Sequence, residues 1–351
     1  MSYGELTLRA MKGVARTLPV RSTGLLGAAL VVAGLITAGV AAAGPPCSYT
    51  IENLEQARSA ITAAAPGDTL CFAGVDLADV DLTMVRSGTV EAPITLVSDG
   101  VTTVHQLHII AEHILLQGFT IVGGGELLLE GTGIVAQKNT VRDTVRGGII
   151  CASCTDSTIE SNTVTHATTA GITISGQRIT VRENLVTATV PADDGDADGV
   201  RFFGNGHRIV SNVIQDIPAV GAAHPDCFET FDTGHPATFD VEVVGNACQH
   251  VAENCLVATG DERGNGDAPL GARSVTFIGN TCATDGDQGV YLRRWAEVDV
   301  RKNTFSGPNL KRGILISAGS TGCTARDNTI TGNVPAVQID DSSRPGFNSP
   351  F

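Results

Sequence analysis

A chain of 351 residues with 42% hydrophobic but only 4% aromatic composition can bury a sizeable core. That core must be built from Val, Ile, Leu and Ala, which suits thin stacked layers better than a globular α/β interior. A formal net charge of −14 repels polyanions unless a cation intervenes, which excludes nucleic acid as a partner.

The N-terminal residues 1–43 read as a secretory signal. Arg9, Lys12, Arg16 and Arg21 precede an apolar run from Gly24 to Val40, and Ala41, Ala42 and Ala43 stand before the expected cut. The run is also about long enough to span a bilayer, so the alternative is an uncleaved segment that anchors the protein to a membrane. Cleavage leaves 19 basic and 36 acidic residues, a net charge near −17, and all nine cysteines. That set fits a secreted, extracellular destination, with one thiol left over in any pairing. Residues 44–74 are expected to form a cap and first strand. Ile51, Leu54, Ala57, Ile61 and Ala64 lie at helical spacing until Pro66-Gly67-Asp68 breaks the helix. Cys47 and Cys71 flank it and are expected to tie it to the first coil.

Residues 75–351 repeat. A pattern of apolar-x-apolar, two residues, then Asn places Asn139, Asn162, Asn184, Asn212, Asn246, Asn280, Asn303 and Asn328 in equivalent positions, at steps of 23, 22, 28, 34, 34, 23 and 25 residues. A basal step of 22 to 25, carrying two or three short strands, is what one turn of a parallel β-helix needs. A second equivalent strand begins at Gly148, Gly171, Gly199, Cys227, Cys255, Gly289, Gly313 and Ala336. Its second and fourth residues are mostly apolar and should point inward, and its third should point out. The asparagines are expected to take left-handed turns and bond to their counterparts in the next coil. The fold class is therefore all-β, a right-handed parallel β-helix with an N-terminal capping α-helix.

On these repeats the chain resembles the right-handed parallel β-helix proteins of the pectate lyase and polygalacturonase superfamily. The resemblance covers about residues 75 to 345 and implies the fold more specifically than any one activity.

The cysteines suggest a framework. Cys151 and Cys154 form a lone C-x-x-C, which reads as a local disulfide or buried thiols. Cys227 and Cys255 share one strand slot in successive coils, as Cys248 and Cys282 share the asparagine turn, so bridges within each of these pairs are expected.

Loop lengths locate a site. From asparagine to second strand the distance is 15 residues in the Asn184 and Asn212 coils against an ordinary 8 to 10, and the return to the next asparagine takes 19 residues after Cys227 and 25 after Cys255 against 13 to 15. Long loops on both sides of one strand face build a walled groove. Its floor reads ADGVRFF (Asp198, Arg201, Phe203), HPDCFETF (His224, Asp226, Glu229, Phe231), ENCLVATG (Asn254, Val257) and QGVYLRR (Gln288, Tyr291, Arg293). Carboxylates, cations and rings combine in this way in clefts that bind sugars. Asp198, Asp226, Glu229, Arg201 and His224 form the candidate catalytic set, with His224 placed to tune Asp226. Phe203, Phe231, Tyr291, Arg293 and Asn254 form the candidate substrate-binding set.

Asp198 and Asp226 begin equivalent strands, so either one carboxyl holds a raised pKa or a cation lies between them. The DGV and PDC segments resemble the DG and DDC segments that carry catalytic aspartates in polygalacturonases, which implies Asp198 and Asp226 as acid and base. The family's Gly-His-Gly and Arg-x-Lys segments have no counterpart, and ENCLVA stands where its histidine is expected. Asp194, Asp196 and Asp198 match the opening of a calcium loop, although Asn205 at the twelfth position excludes an EF-hand. Calcium held there is the cofactor the sequence suggests. In calcium-dependent pectate lyases a basic residue removes the proton beside the substrate carboxylate, which would fall to Arg201, Arg293, Arg294 or Lys311. The reading is a monomeric, secreted protein that cleaves glycosidic bonds in a polysaccharide by hydrolysis or β-elimination, with no nucleotide as ligand. The alternative is a non-catalytic β-helix that binds glycan or forms a surface structure.

Overall fold

The computed structural model describes residues 46–191, 196–232, 234–261, 265 and 268–349. The signal segment and Asp194 lie outside them. Alternating apolar residues in short β-branched runs cannot bury a face alone, so the chain winds them into coils, each pairing in parallel with the coils before and after it. One 12-stranded sheet takes a strand from every coil, and a 20-stranded sheet takes the strand after each asparagine together with the strand that floors the groove. The product is an all-β solenoid of about 12 turns. Its core is a set of apolar stacks. Val141, Val164, Val186 and Ile214 form one, and Ile149, Ile172, Val200, Phe228, Leu256, Val290 and Ile314 another, all of them at most 1% exposed.

Pairing begins at Tyr49–Ile51, so Ile51 is a strand residue and not the first turn of a helix. The cap helix spans Leu54–Ala63, with the Asn53 side chain accepting the Gln56 N–H at 3.0 Å, and it buries Ala57, Ala60 and Ile61 over the open end of the stack. The Cys47–Cys71 bridge ties this end together as expected. No helix among the described residues is long and apolar enough to cross a membrane.

The asparagine ladder forms as expected. Asn184 donates its backbone N–H and its Nδ2 to Asn212 Oδ1 at 3.0 and 2.9 Å, and the same pair of bonds repeats from Asn139 through to Asn328. The left-handed turn itself falls one residue earlier than expected, at Lys138, Ser161, Glu183 and Ser211 and their equivalents, with φ between 54° and 57° at these four. Such φ values are costly for residues with a Cβ. They are held because the asparagine side chain satisfies the buried amides of the turn.

Two of the bridges run differently from the expected pairing. The first slot of each floor strand faces, across the corner, the inward residue of the next coil. A Cβ at Gly199 would lie 2.5 Å from Ile214 Cγ2, and one at Gly289 would lie 2.3 Å from the Phe305 ring. Glycine is thus demanded wherever the facing residue is large. At Cys227 and Cys255 the facing residues are Cys248 and Cys282, and the disulfides close across the corner, with Cα separations of 6.2 and 5.9 Å. Cys248 and Cys282 do stack in register. Parallel neighbours, however, project side chains alongside one another, whereas side chains from the two sides of a corner converge. Cys151 and Cys154 form a local bridge, and Cys323 is the buried free thiol.

Candidate active site

Register brings the predicted floor together. Thr173, Arg201, Glu229, Val257, Tyr291 and Leu315 form one outward row along successive coils. Three positions earlier, in these strands or the turns before them, runs a deeper polar row, which includes Asp198, Asp226, Asn254 and Gln288.

Arg201 is the hub. Its Nε donates to Asp198 at 2.7 Å and lies 3.0 Å from Glu229, while its Nη2 pairs with Asp196. Burial alone would lower the pKa of this guanidinium, but Asp198, Glu229 and Asp196 together hold it above the ordinary value. One cation faces three carboxyl groups. Burial first, and the charge of Asp198 second, push Glu229 up to about 10, against the pull of Arg201. Neutral Glu229 is a hydrogen-bond partner of Asp198. Asp226 is raised well above the usual carboxylate range, first by complete burial and then by Asp198.

The carboxyl groups that reach the cleft are Asp196 and Glu229, not Asp198 and Asp226. The latter two are 0% and 2% exposed, and Asp198 Oδ1 accepts the Asp226 backbone N–H at 2.8 Å. Asp226 Oδ1 accepts from the Asn254 backbone at 2.6 Å and from Asn254 Nδ2 at 2.9 Å, which makes Asn254 a support of Asp226 beneath the floor. His224 pairs with Asp196 at 3.1 Å and not with Asp226. Asp196, Asp198 and Glu229 offer oxygens within 4.8 Å of one another. Their point of convergence is taken by the Arg201 guanidinium, which a calcium ion held by these three would have to displace.

The accessible surface divides into two adjoining clefts that share Phe231. The first, of about 470 Å³, is lined by Asp196, Glu229, Phe231, Asp232, Thr259, Asp261, Arg293 and Arg294. Among the described residues no carboxylate pairs with Arg293 or Arg294. The second, of about 450 Å³, is more apolar, with Val145, Ile150, Phe203, Phe231 and His235 against Arg146 and Arg201. Phe203 is 1% exposed: its face is covered by the His235 ring at 3.7 Å and its edge meets Phe231 at 4.9 Å. The rings offered to a ligand are therefore Phe231 and His235. His235 stands on the long loop after Phe231, and that insertion was the one sequence signal for it. Burial and the nearby Arg201 lower its pKa. Tyr291 is half-buried two coils beyond Glu229 in the outward row. Lys311 lies outside this groove, paired with Asp287 at 2.8 Å. Chemically, the site can give a proton from a neutral carboxyl, present a carboxylate beside it, and hold anionic or ring-shaped groups on either side.

Solved structures share this architecture at low identity. An alginate lyase from Paenibacillus sp. str. FPU-7 superposes with a TM-score of 0.58 at 15% identity, covering 83% of this chain and 98% of its own. The catalytic unit of the GH87 α-1,3-glucanase from Streptomyces thermodiastaticus strain HF3-3 gives 0.58 at 15%, covering 88% and 69%. The Dettilon tailspike protein gives 0.54 at 14%, covering 84% and 64%. No curated protein sequence matches the chain. Residues 103–214 and 198–349 match the family described as right handed beta helix region. Those two overlapping matches span most of the solenoid, and the chain belongs to that family.

Proposed function

We propose that the protein is a secreted carbohydrate-active enzyme that cleaves glycosidic bonds in a polysaccharide lying along the two clefts, with Glu229 as proton donor and Asp196 as the second carboxylate. The observation that carries this reading is a buried carboxyl group, Glu229, lining an open cleft beside a second carboxyl, Asp196, in surroundings that push its pKa up to about 10. A glycosidic oxygen leaves readily only when it is protonated, and an ordinary glutamate has no proton to give at neutral pH. The oxygens of Asp196 and Glu229 lie within 4.8 Å, close to the short separation at which the second carboxylate attacks directly and shorter than the gap that admits a water. Asp198, Asp226 and Arg201 then set the charge beneath the reacting groups. The polysaccharide-cleaving activities named for the alginate lyase and the α-1,3-glucanase support a glycan as partner.

Arg293 and Arg294 favour a second reading, β-elimination from an acidic polysaccharide. Two guanidinium groups in the cleft wall with which no carboxylate pairs among the described residues suit a uronate carboxylate. A panel of neutral and acidic polysaccharides, with calcium or with chelator, separates these readings when reducing ends and ultraviolet absorbance are followed together. Hydrolysis releases reducing ends alone, whereas elimination adds the absorbance of an unsaturated sugar. Glu229→Gln is expected to lower turnover by about a thousandfold with glycan binding retained. Wild-type silence across the panel, with binding, would instead identify a non-catalytic glycan-binding β-helix.

A further inference from the structure

Beneath the cleft, five residues at one slot of five successive coils form a hydrogen-bonded chain. Arg312 Nη1 donates to Gln288 Oε1 at 2.9 Å, Gln288 Nε2 to Asn254 Oδ1 at 2.9 Å, and Asn254 Nδ2 to Asp226 Oδ1 at 2.9 Å. The Asp226 backbone N–H then donates to Asp198 Oδ1 at 2.8 Å. The slot is occupied by Ala170 before Asp198 and by Pro335 after Arg312, so the chain of bonds ends at both sides.

Direction is the informative property. A side-chain amide can face either way, and nothing in Gln288 or Asn254 alone chooses. Arg312 can only donate. With Arg312 at one end, Gln288 must turn its oxygen toward it and its nitrogen toward Asn254, and Asn254 must in turn aim its nitrogen at Asp226. We infer that Arg312 is a positioning residue for the acidic centre: as a donor-only terminus three coils away, it orients the Gln288 and Asn254 amides so that donors face Asp226. Three coils correspond to roughly 14 Å, so Arg312 does not touch Glu229, and it lines neither cleft. As a statement about catalysis this rests on the function proposed above. As a statement about amide orientation it does not.

The test replaces the terminus by side chains of different bonding character. Arg312→Lys keeps a donor-only end, Arg312→Met removes it, and Arg312→Glu supplies an acceptor that asks both amides to turn round. Side-chain amide resonances of Gln288 and Asn254, assigned by NMR in the purified protein, report orientation without any substrate. Both are expected to stay in place in Arg312→Lys and to shift in Arg312→Glu, with exchange broadening in Arg312→Met. On a cleaved polysaccharide, Arg312→Glu is expected to lower kcat about tenfold with KM within about twofold, and Arg312→Lys to retain at least about a third of wild-type kcat. Unmoved amide resonances in Arg312→Glu, or in Arg312→Met should the former fail to fold, overturn the inference. So does a loss in Arg312→Lys equal to that in Arg312→Glu. Shifted amides in a protein that turns over nothing would leave the orienting role standing and refute the enzyme reading.

Discussion

Two polar ladders run the length of several coils, and they are built on opposite plans. The asparagine ladder repeats one residue from Asn139 to Asn328, and each member donates to a backbone carbonyl and, up to Asn303, to the next asparagine. The ladder under the cleft uses Asp198, Asp226, Asn254, Gln288 and Arg312, each different from its neighbour or differently surrounded, with charge at both ends. A uniform ladder satisfies buried amides at every turn and serves the fold alike at every coil. A graded ladder has two unlike ends, and it starts beneath the coils whose wall loops are long and runs past them to Arg312. The difference separates what keeps the coils stacked from what sets the chemistry of one place on them.

The sharpest way to test that separation is a matched pair of substitutions. Asn212→Ala leaves the Asn184 backbone N–H and side-chain amide without their acceptor in a buried turn. It should cost about 4 kcal/mol, read by denaturant unfolding, while the protein that remains folded keeps its specific activity. Asp226→Asn exchanges a carboxyl that already resists ionisation for a neutral isostere, so stability should change by less than about 1 kcal/mol, whereas turnover should fall about tenfold. Equal behaviour of the two variants would erase the distinction.

The covalent contacts come next. Removing Cys227 and Cys248 together as alanines should cost about 3 kcal/mol. The Gly199 and Ile214 corner offers a replacement, and Cys227→Gly with Cys248→Ile should recover part of that loss in thermal melts. A double variant no better than the alanine pair would mean that the corner is not interchangeable between coils.

A smaller effect, graded with pH, comes from the buried His207 in the turn after the Phe203 strand. Its Nδ1 accepts the Ile179 N–H at 3.1 Å and its Nε2 donates to the Phe203 carbonyl at 2.8 Å, and burial lowers its pKa to about 4. The unfolded chain binds a proton there below about 6.5 while the folded chain does not, so stability is lost as pH falls from about 6.5 toward 4, by at most about 3 kcal/mol. Glu229 acts in the opposite sense. Its folded pKa is raised, so its contribution is complete below about 4.5 and declines as pH rises above that. Melting temperatures of the wild type and His207→Gln between pH 7 and 4.5 should converge as pH falls.

Much of this was legible in the amino-acid sequence. The asparagine steps and the alternating strands announced the coils, because stacking an identical slot requires a period that survives insertions. Loop lengths located the groove, since extra residues in a solenoid have nowhere to go but its faces. What escaped was the choice among close neighbours. Asp196 and Asp198 differ by two residues, yet one faces the cleft and the other is sealed under Arg201, because the turn before the strand decides and carries no periodic signal. The bridges escaped for a similar reason: slot equivalence showed which cysteines stack, but not which side chains converge across a corner. Arg312 escaped because its partner Gln288 lies in a coil of different length, and the ladder is visible only after the coils are aligned.

The two corner disulfides have a mechanical consequence. A solenoid is held coil by nearest coil, so it loses order from its ends inward, much as a rope frays. Cys227–Cys248 and Cys255–Cys282 lash together the three coils that begin at Asn212, Asn246 and Asn280. A fray entering from either terminus meets one of these lashings before it passes through the middle of the stack. The cleft's floor at Glu229 and Val257 therefore sits between stops, and tolerates ragged ends that would disassemble an unfastened stack.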